Sequence, residues 1–129
     1  MTRRKNYGKD YFRQYLRSRR GDTDSYLDGV DISPEDIFSF VARTKILPKT
    51  SAPSIEDYKV FFAAQTKNGD EVVHFNISSK ASASHSCALA AAKEFGGKVR
   101  VVDSLALSSG QGLLVMKAAD LRDEGLSAE

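Results

Sequence analysis

Apolar positions recur along this chain with two different periods, and the change from one to the other marks its elements. Ser33-Pro34-Glu35-Asp36 has the order of a helix start, with a hydroxyl at the N-cap, proline in the first turn and acids where the helix dipole favours them. Ile37, Phe40 and Val41 follow at helical spacing, which predicts a helix over residues 34–44. Residues 45–53 (KILPKTSAP) carry two prolines and read as a loop. Ser54, with Asp57 three residues on, opens a second helix that turns Ile55, Tyr58, Phe61 and Phe62 inward and stops near Asn68-Gly69. Residues 70–77 (DEVVHFNI) are short and rich in β-branched and aromatic side chains, as a strand is. Serine-rich 78–86 leads into an alanine-rich helix ending at Gly96-Gly97, and 98–102 (KVRVV) form a second strand closed by Asp103-Ser104. A last helix is expected over 113–123, ended by Glu124-Gly125.

The order helix, helix, strand, helix, strand, helix predicts an α/β domain with a parallel sheet flanked by helices and joined by right-handed crossovers. Two strands are few for such a sheet, so either a third is poorly marked or part of the domain is absent. Ahead of this body, Tyr7, Tyr11, Phe12, Tyr15 and Leu16 recur at spacings of three to five, which predicts a helix over residues 7–19 with aromatics on one face and arginines on the other.

Charge divides the chain in the same place. Residues 1–20 hold eight Lys/Arg against Asp10 alone, a net of +7, and the remaining residues hold eleven against sixteen Asp/Glu, a net of −5. A basic arm (1–22) therefore precedes a mildly acidic body (23–129). Such an arm suits an anionic partner, although it carries no RNA-binding signature and its charge block is short, so nucleic acid is not the expected partner. At 129 residues with 41% hydrophobic composition the chain is long enough to bury a core without disulfides or metal, and its single Cys87 makes no internal bridge. No apolar stretch follows Arg3-Arg4-Lys5 as a signal peptide would require, and none is long enough to span a membrane. The expected location is the cytoplasm.

In open α/β sheets ligands gather beyond the carboxyl ends of the strands, here at Ser78-Ser79 and Asp103-Ser104. Ser78, Ser79, Ser82, Ser84 and Ser86 crowd the first of these and the N-terminus of the next helix, where unpaired N–H groups and the positive dipole end favour a carboxylate or phosphate. Simple N-capping also uses such serines, but five in nine residues exceed what one cap needs. Thr50-Ser51 forms a further hydroxyl pair in the proline-flanked loop, and Gly110 and Gly112 allow close approach at a helix entrance. Enzyme signatures are missing: there is no phosphate loop with its lysine and no Gly-x-Ser-x-Gly elbow, and Ser84 and His85 are adjacent, which points them apart on a helix. His74 and His85 have no partner at metal-ligand spacing, Asp24, Asp28 and Asp31 match no calcium loop, and Cys87 reads as a small helix residue, so no metal and no catalytic group is expected. His74 is expected to face solvent or a packed helix.

Residues 26–33 (YLDGVDIS), 48–54 (PKTSAPS), 77–84 (ISSKASAS), 102–104 (VDS) and 110–115 (GQGLLV) together resemble the DegV fatty-acid-binding family, in order and spacing, over residues 26–129. The resemblance implies a non-catalytic bacterial lipid carrier, in which a two-domain α/β protein encloses an acyl chain, hydroxyls hold its carboxylate, and a fatty-acid kinase phosphorylates the bound acid. Thr50 matches the threonine of the proline-flanked motif and Ser82 the serine of the family's Ser-Gly-Thr turn, with Ala83 and Ser84 standing where the family has glycine and threonine. Carried over, Thr50, Ser82, Ala83 and Ser84 contact the acyl carboxylate, with no cofactor besides the bound fatty acid. The opening strand with its Thr-Asp-Ser ending is not recognisable, Thr23-Asp24-Ser25 lies too close to Tyr26 to be it, and the chain ends where the second domain would start. The expected fold is therefore an incomplete DegV-like N-terminal domain, whose open half-tunnel favours a homodimer. The other readings are an interaction module working through the basic arm and a remnant that has lost its ligand.

Overall fold

The computed structural model describes residues 13–17, 23–27 and 30–128. The chain divides into two compact units, Met1–Pro53 and Ser54–Glu129.

In the first unit, strands β1 (Arg13–Arg17) and β2 (Thr23–Leu27) are followed by helix α1 (Pro34–Thr44) and a short strand β3 (Lys49–Ser51). The three strands form an antiparallel sheet in the order β2-β1-β3, with Tyr15 opposite both Ser25 and Lys49, and Gln14 opposite Thr50. Two expectations are corrected here. Residues 13–17, predicted within a helix over 7–19, are the central strand; the rest of that predicted helix lies outside the described residues. Helical spacing of the aromatics was a local signal, whereas a strand paired on both sides satisfies its backbone through partners distant in sequence. Likewise residues 49–51, expected to be loop because of Pro48 and Pro53, sit between those prolines and pair with β1. The pairing of β1 with β2 also crosses residue 22, where the basic arm was expected to give way to the body.

Helix α1 begins as its sequence indicates. The Asp36 N–H donates to Ser33 Oγ (3.2 Å), and the Ser33 N–H returns the bond to Asp36 Oδ2 (3.0 Å). The Ser33 hydroxyl and N–H hold the Asp36 carboxyl below its ordinary range. The helix ends at Lys45, whose φ of 59° is left-handed and whose N–H reaches Val41 O.

The second unit carries α2 (Ile55–Thr66), β4 (Val72–Asn76), α3 (Ser84–Ala92) with a 3₁₀ turn at Lys93–Phe95, β5 (Val99–Asp103) and α4 (Ser109–Asp123). Strands β4 and β5 are parallel, in register from Val72 opposite Val99 to Asn76 opposite Asp103. A capping box between Ser54 and Asp57 starts α2, and Gly96 and Gly97, both at positive φ, turn the chain into β5. The core joins Tyr58 and Phe62 of α2 to Ala88, Ala91 and Ala92 of α3 and to Val99 of β5. Small alanines on one stripe of α3 let the large rings of α2 fill the layer between them. Ile55, expected inward, is exposed at the first turn of α2. Helix α4 starts at Ser109, four residues before the expected Leu113, so both glycines lie inside its first turn.

Candidate functional site

The carboxyl ends of β4 and β5 lie side by side, and the segment 77–84 runs from one of them into α3. Its serines divide into two groups by what they bind. Ser78 is buried: its N–H donates to Ala106 O (2.9 Å), its carbonyl accepts the N–H groups of Ala81 and Ser82, and its hydroxyl accepts the Lys80 N–H. Asp103 Oδ1 accepts the N–H of Ser79 and of Leu105, at 3.0 Å each. The Ser79 hydroxyl and then the Leu105 N–H hold the Asp103 carboxyl below its ordinary range. Part of the anion-binding capacity expected beside β4 is therefore occupied by the protein's own carboxylate. Ser86 Oγ donates to Ala83 O (2.8 Å) and stays within the helix turn.

Ser82 and Ser84 are arranged differently. Their hydroxyl oxygens are 2.8 Å apart, and Ser82 Oγ also accepts the Ser84 N–H at 3.1 Å. Ser84 is 1% exposed, whereas Ser82 is half-buried. The buried hydroxyl thus orients the accessible one. Ala83 forms the N-cap position without a side-chain cap, at φ −73° and ψ −3°. That backbone is ordinary for an L-residue, so alanine replaces the family's glycine here without strain. Among the described residues, the Ser82 hydroxyl is the one side-chain acceptor seen for the N–H groups that open the helix.

Of the four expected site residues, the structure brings Ser82, Ala83 and Ser84 together in this turn. Thr50 is an exposed residue of β3 in the first unit. An open depression in that unit, lined by Val30, Asp31, Ile32, Ser33, Pro34 and Asp36, contains none of the four.

Beneath the turn lie polar residues that the sequence reading left without a role. Asn76, the last residue of β4, is fully buried and donates through Nδ2 to the Tyr58 hydroxyl at 3.0 Å. His74, two residues earlier on the same side of the strand, is 8% exposed and packs edge-on against Tyr58, Phe61 and Phe62. It faces the packed helix, one of its two expected surroundings. Burial and the neighbouring His85 push its pKa down to about 4. The signal for this layer was the period of two that places positions 74 and 76 together at the end of an apolar strand. Gln111 Nε2 donates to Phe75 O (2.8 Å), which fastens α4 to β4.

A family model described as uncharacterised protein, DegV family, matches residues 16–129. The chain belongs to the DegV family. A DegV domain-containing protein of Deinococcus radiodurans is 38% identical over 102 residues, covering 79% of this chain and 36% of the relative. Among solved structures, a DegV family protein from Thermus thermophilus described by its fatty-acid binding superposes with a TM-score of 0.74 at 35% identity, over 90% of this chain and 40% of that one. A stearic acid-binding protein from Eubacterium ventriosum gives 0.72 at 28% identity, over 92% and 41%. The chain therefore spans about two-fifths of the length of these relatives. No helix among the described residues is long and apolar enough to cross a membrane.

Proposed function

We propose that this DegV chain binds a long-chain fatty acid without turning it over, holding the carboxylate at the Ser82 hydroxyl and the first-turn N–H groups of α3. The observation that carries the reading is the Ser82–Ser84 hydroxyl pair at the start of α3, in a family whose solved members of comparable sequence are described as fatty-acid-binding. A carboxylate there meets a donor pre-oriented by a buried neighbour and the positive end of a helix. Leu105 and Leu107, in the loop after β5, and Leu113 and Met116 of α4 are exposed, and they supply apolar surface in the same unit for an acyl chain. Thr50 is proposed as a further contact by its match to the family motif, and presentation of the bound acid to a fatty-acid kinase as the partner role.

The test is native mass spectrometry of the chain with added stearate, compared with Ser82→Ala and Ser82→Thr. Loss of one hydrogen bond to a charged group weakens retention by about 1.5–3 kcal/mol, tenfold or more, in the alanine variant. Threonine keeps the hydroxyl and retains binding. A thermal unfolding curve for each variant separates this from damage to the Ser84 contact. Equal stearate retention by the folded alanine variant and the parent chain overturns the assignment.

A further inference from the structure

Asp103 ends β5 beside the serine turn, and its carboxylate is tied to that turn through a single peptide group. The Ser79 N–H donates to Asp103 Oδ1 (3.0 Å), while the carbonyl of the same peptide, Ser78 O, accepts the Ser82 N–H (3.2 Å). A planar trans peptide holds its N–H and C=O on opposite sides. The carboxylate and Ser82 therefore face each other across one peptide, which sets the charge on the order of 10 Å from a head group at the Ser82 hydroxyl. The Ser79 hydroxyl and the Leu105 N–H (3.0 Å) fix the carboxylate there and hold it ionised at neutral pH. Lys80 is the one charged residue of segment 77–84, and it is exposed. Together these give one fixed negative charge, one cation and the roughly half unit of positive charge at the start of α3. A head group with one negative charge is nearly balanced by that set. A second negative charge on the head group exceeds what the set offsets.

We infer that Asp103 is a specificity residue of this site, whose fixed carboxylate selects singly charged head groups such as carboxylates over doubly charged ones such as phosphate monoesters. The inference rests on the fatty-acid reading above and names the charge that the same site accepts. Hydroxyls and helix N–H groups alone do not make this choice, because they suit phosphate as well as carboxylate. A like charge nearby does make it, since each added negative charge on the ligand is repelled in turn. The separation is about one Debye length at physiological salt, so the repulsion is moderate and depends on ionic strength.

The experiment measures binding of stearate, octadecyl sulfonate and octadecyl phosphate to the full chain at pH 8 by calorimetry, for the parent and for Asp103→Asn. Sulfonate is tetrahedral like phosphate but carries one charge, so it separates charge from shape; at pH 8 the phosphate monoester carries close to two. The parent is expected to hold octadecyl phosphate about fivefold more weakly than the sulfonate, the effect of one unit charge about 10 Å away at a dielectric between those of a protein surface and water. Asparagine keeps an oxygen to accept the Ser79 and Leu105 N–H groups, so the turn persists and the deficit should fall to about twofold or less. Should Asp103→Asn melt early, salt decides on the parent, whose deficit is expected to close in 1 M NaCl, where charges are screened within about 3 Å. Equal binding of phosphate and sulfonate by the parent, or a deficit that neither asparagine nor salt reduces, overturns the inference and leaves the fatty-acid reading standing. No stearate binding by the parent overturns both.

Discussion

Acidification of the second unit tests how His74 is accommodated. The imidazole is wedged between strand β4 and the rings of Tyr58, Phe61 and Phe62, with centroids 5.5, 6.0 and 5.3 Å away. Burial, reinforced by His85, lowers its pKa from 6.5 to about 4. In the unfolded chain the same ring titrates near 6.5, so between these values the unfolded state binds more protons and each step down in pH favours unfolding. The stability involved is fully present above pH 6.5 and is lost as pH falls towards 4. At about 1.4 kcal/mol per pH unit, the interval amounts to roughly 3 kcal/mol, a large share of the 5–15 kcal/mol that holds a typical domain together. Asp36 and Asp103, whose carboxyls are also held low, add losses only at more acid pH. Urea unfolding at pH 7.5, 6.5, 5.5 and 4.5 measures the effect, with His74→Phe as the reference because phenylalanine fills the aromatic cluster and cannot titrate. The parent's stability should fall relative to that variant by 2 kcal/mol or more over the series. Parallel curves for the two proteins would refute the argument, since the acid sensitivity would then have another source.

Further predictions concern helix starts. A Cβ built on Gly110 falls 2.9 Å from Ala106 Cβ, whereas one on Gly112 meets nothing within 4 Å. Gly112→Ala should therefore stabilise α4 by about 0.5–1 kcal/mol, and Gly110→Ala should give no gain or a loss; thermal melts of the two variants should diverge in sign. Ser54→Ala removes the acceptor of the Asp57 N–H (3.1 Å) and one donor to its carboxylate (2.7 Å) at the start of α2. A loss of about 1 kcal/mol in urea unfolding is expected, and an unchanged midpoint would contradict the capping assignment.

Where a signal lay within a few residues of its effect, the sequence was readable. Ser33 with Asp36 and Ser54 with Asp57 marked two helix starts that the structure reproduces at Pro34 and Ile55, because a capping box closes over three residues whatever lies around it. The apolar runs of β4 and β5 were equally plain, and their parallel pairing followed from the helix between them. The start of α4 was placed too late because glycine weakens helices in general, while at Gly110 the close approach of Ala106 requires it. In the serine turn the residues were legible but their division of labour was not. Composition could not distinguish Ser78 and Ser86, engaged by local backbone, from Ser82, held accessible over buried Ser84.

The sequence by itself determined the helix boundaries set by caps, the two parallel strands, the family motifs and the location of the hydroxyl-rich turn. Tertiary structure decided that residues 13–17 and 49–51 are strands, that Asp103 takes up the donors beside Ser79, and that His74 and Asn76 of β4 are buried against Tyr58 of α2. The difference is physical. Caps and turns are closed by neighbours in the chain, whereas strand pairing, burial and proton affinity depend on groups brought together from tens of residues away.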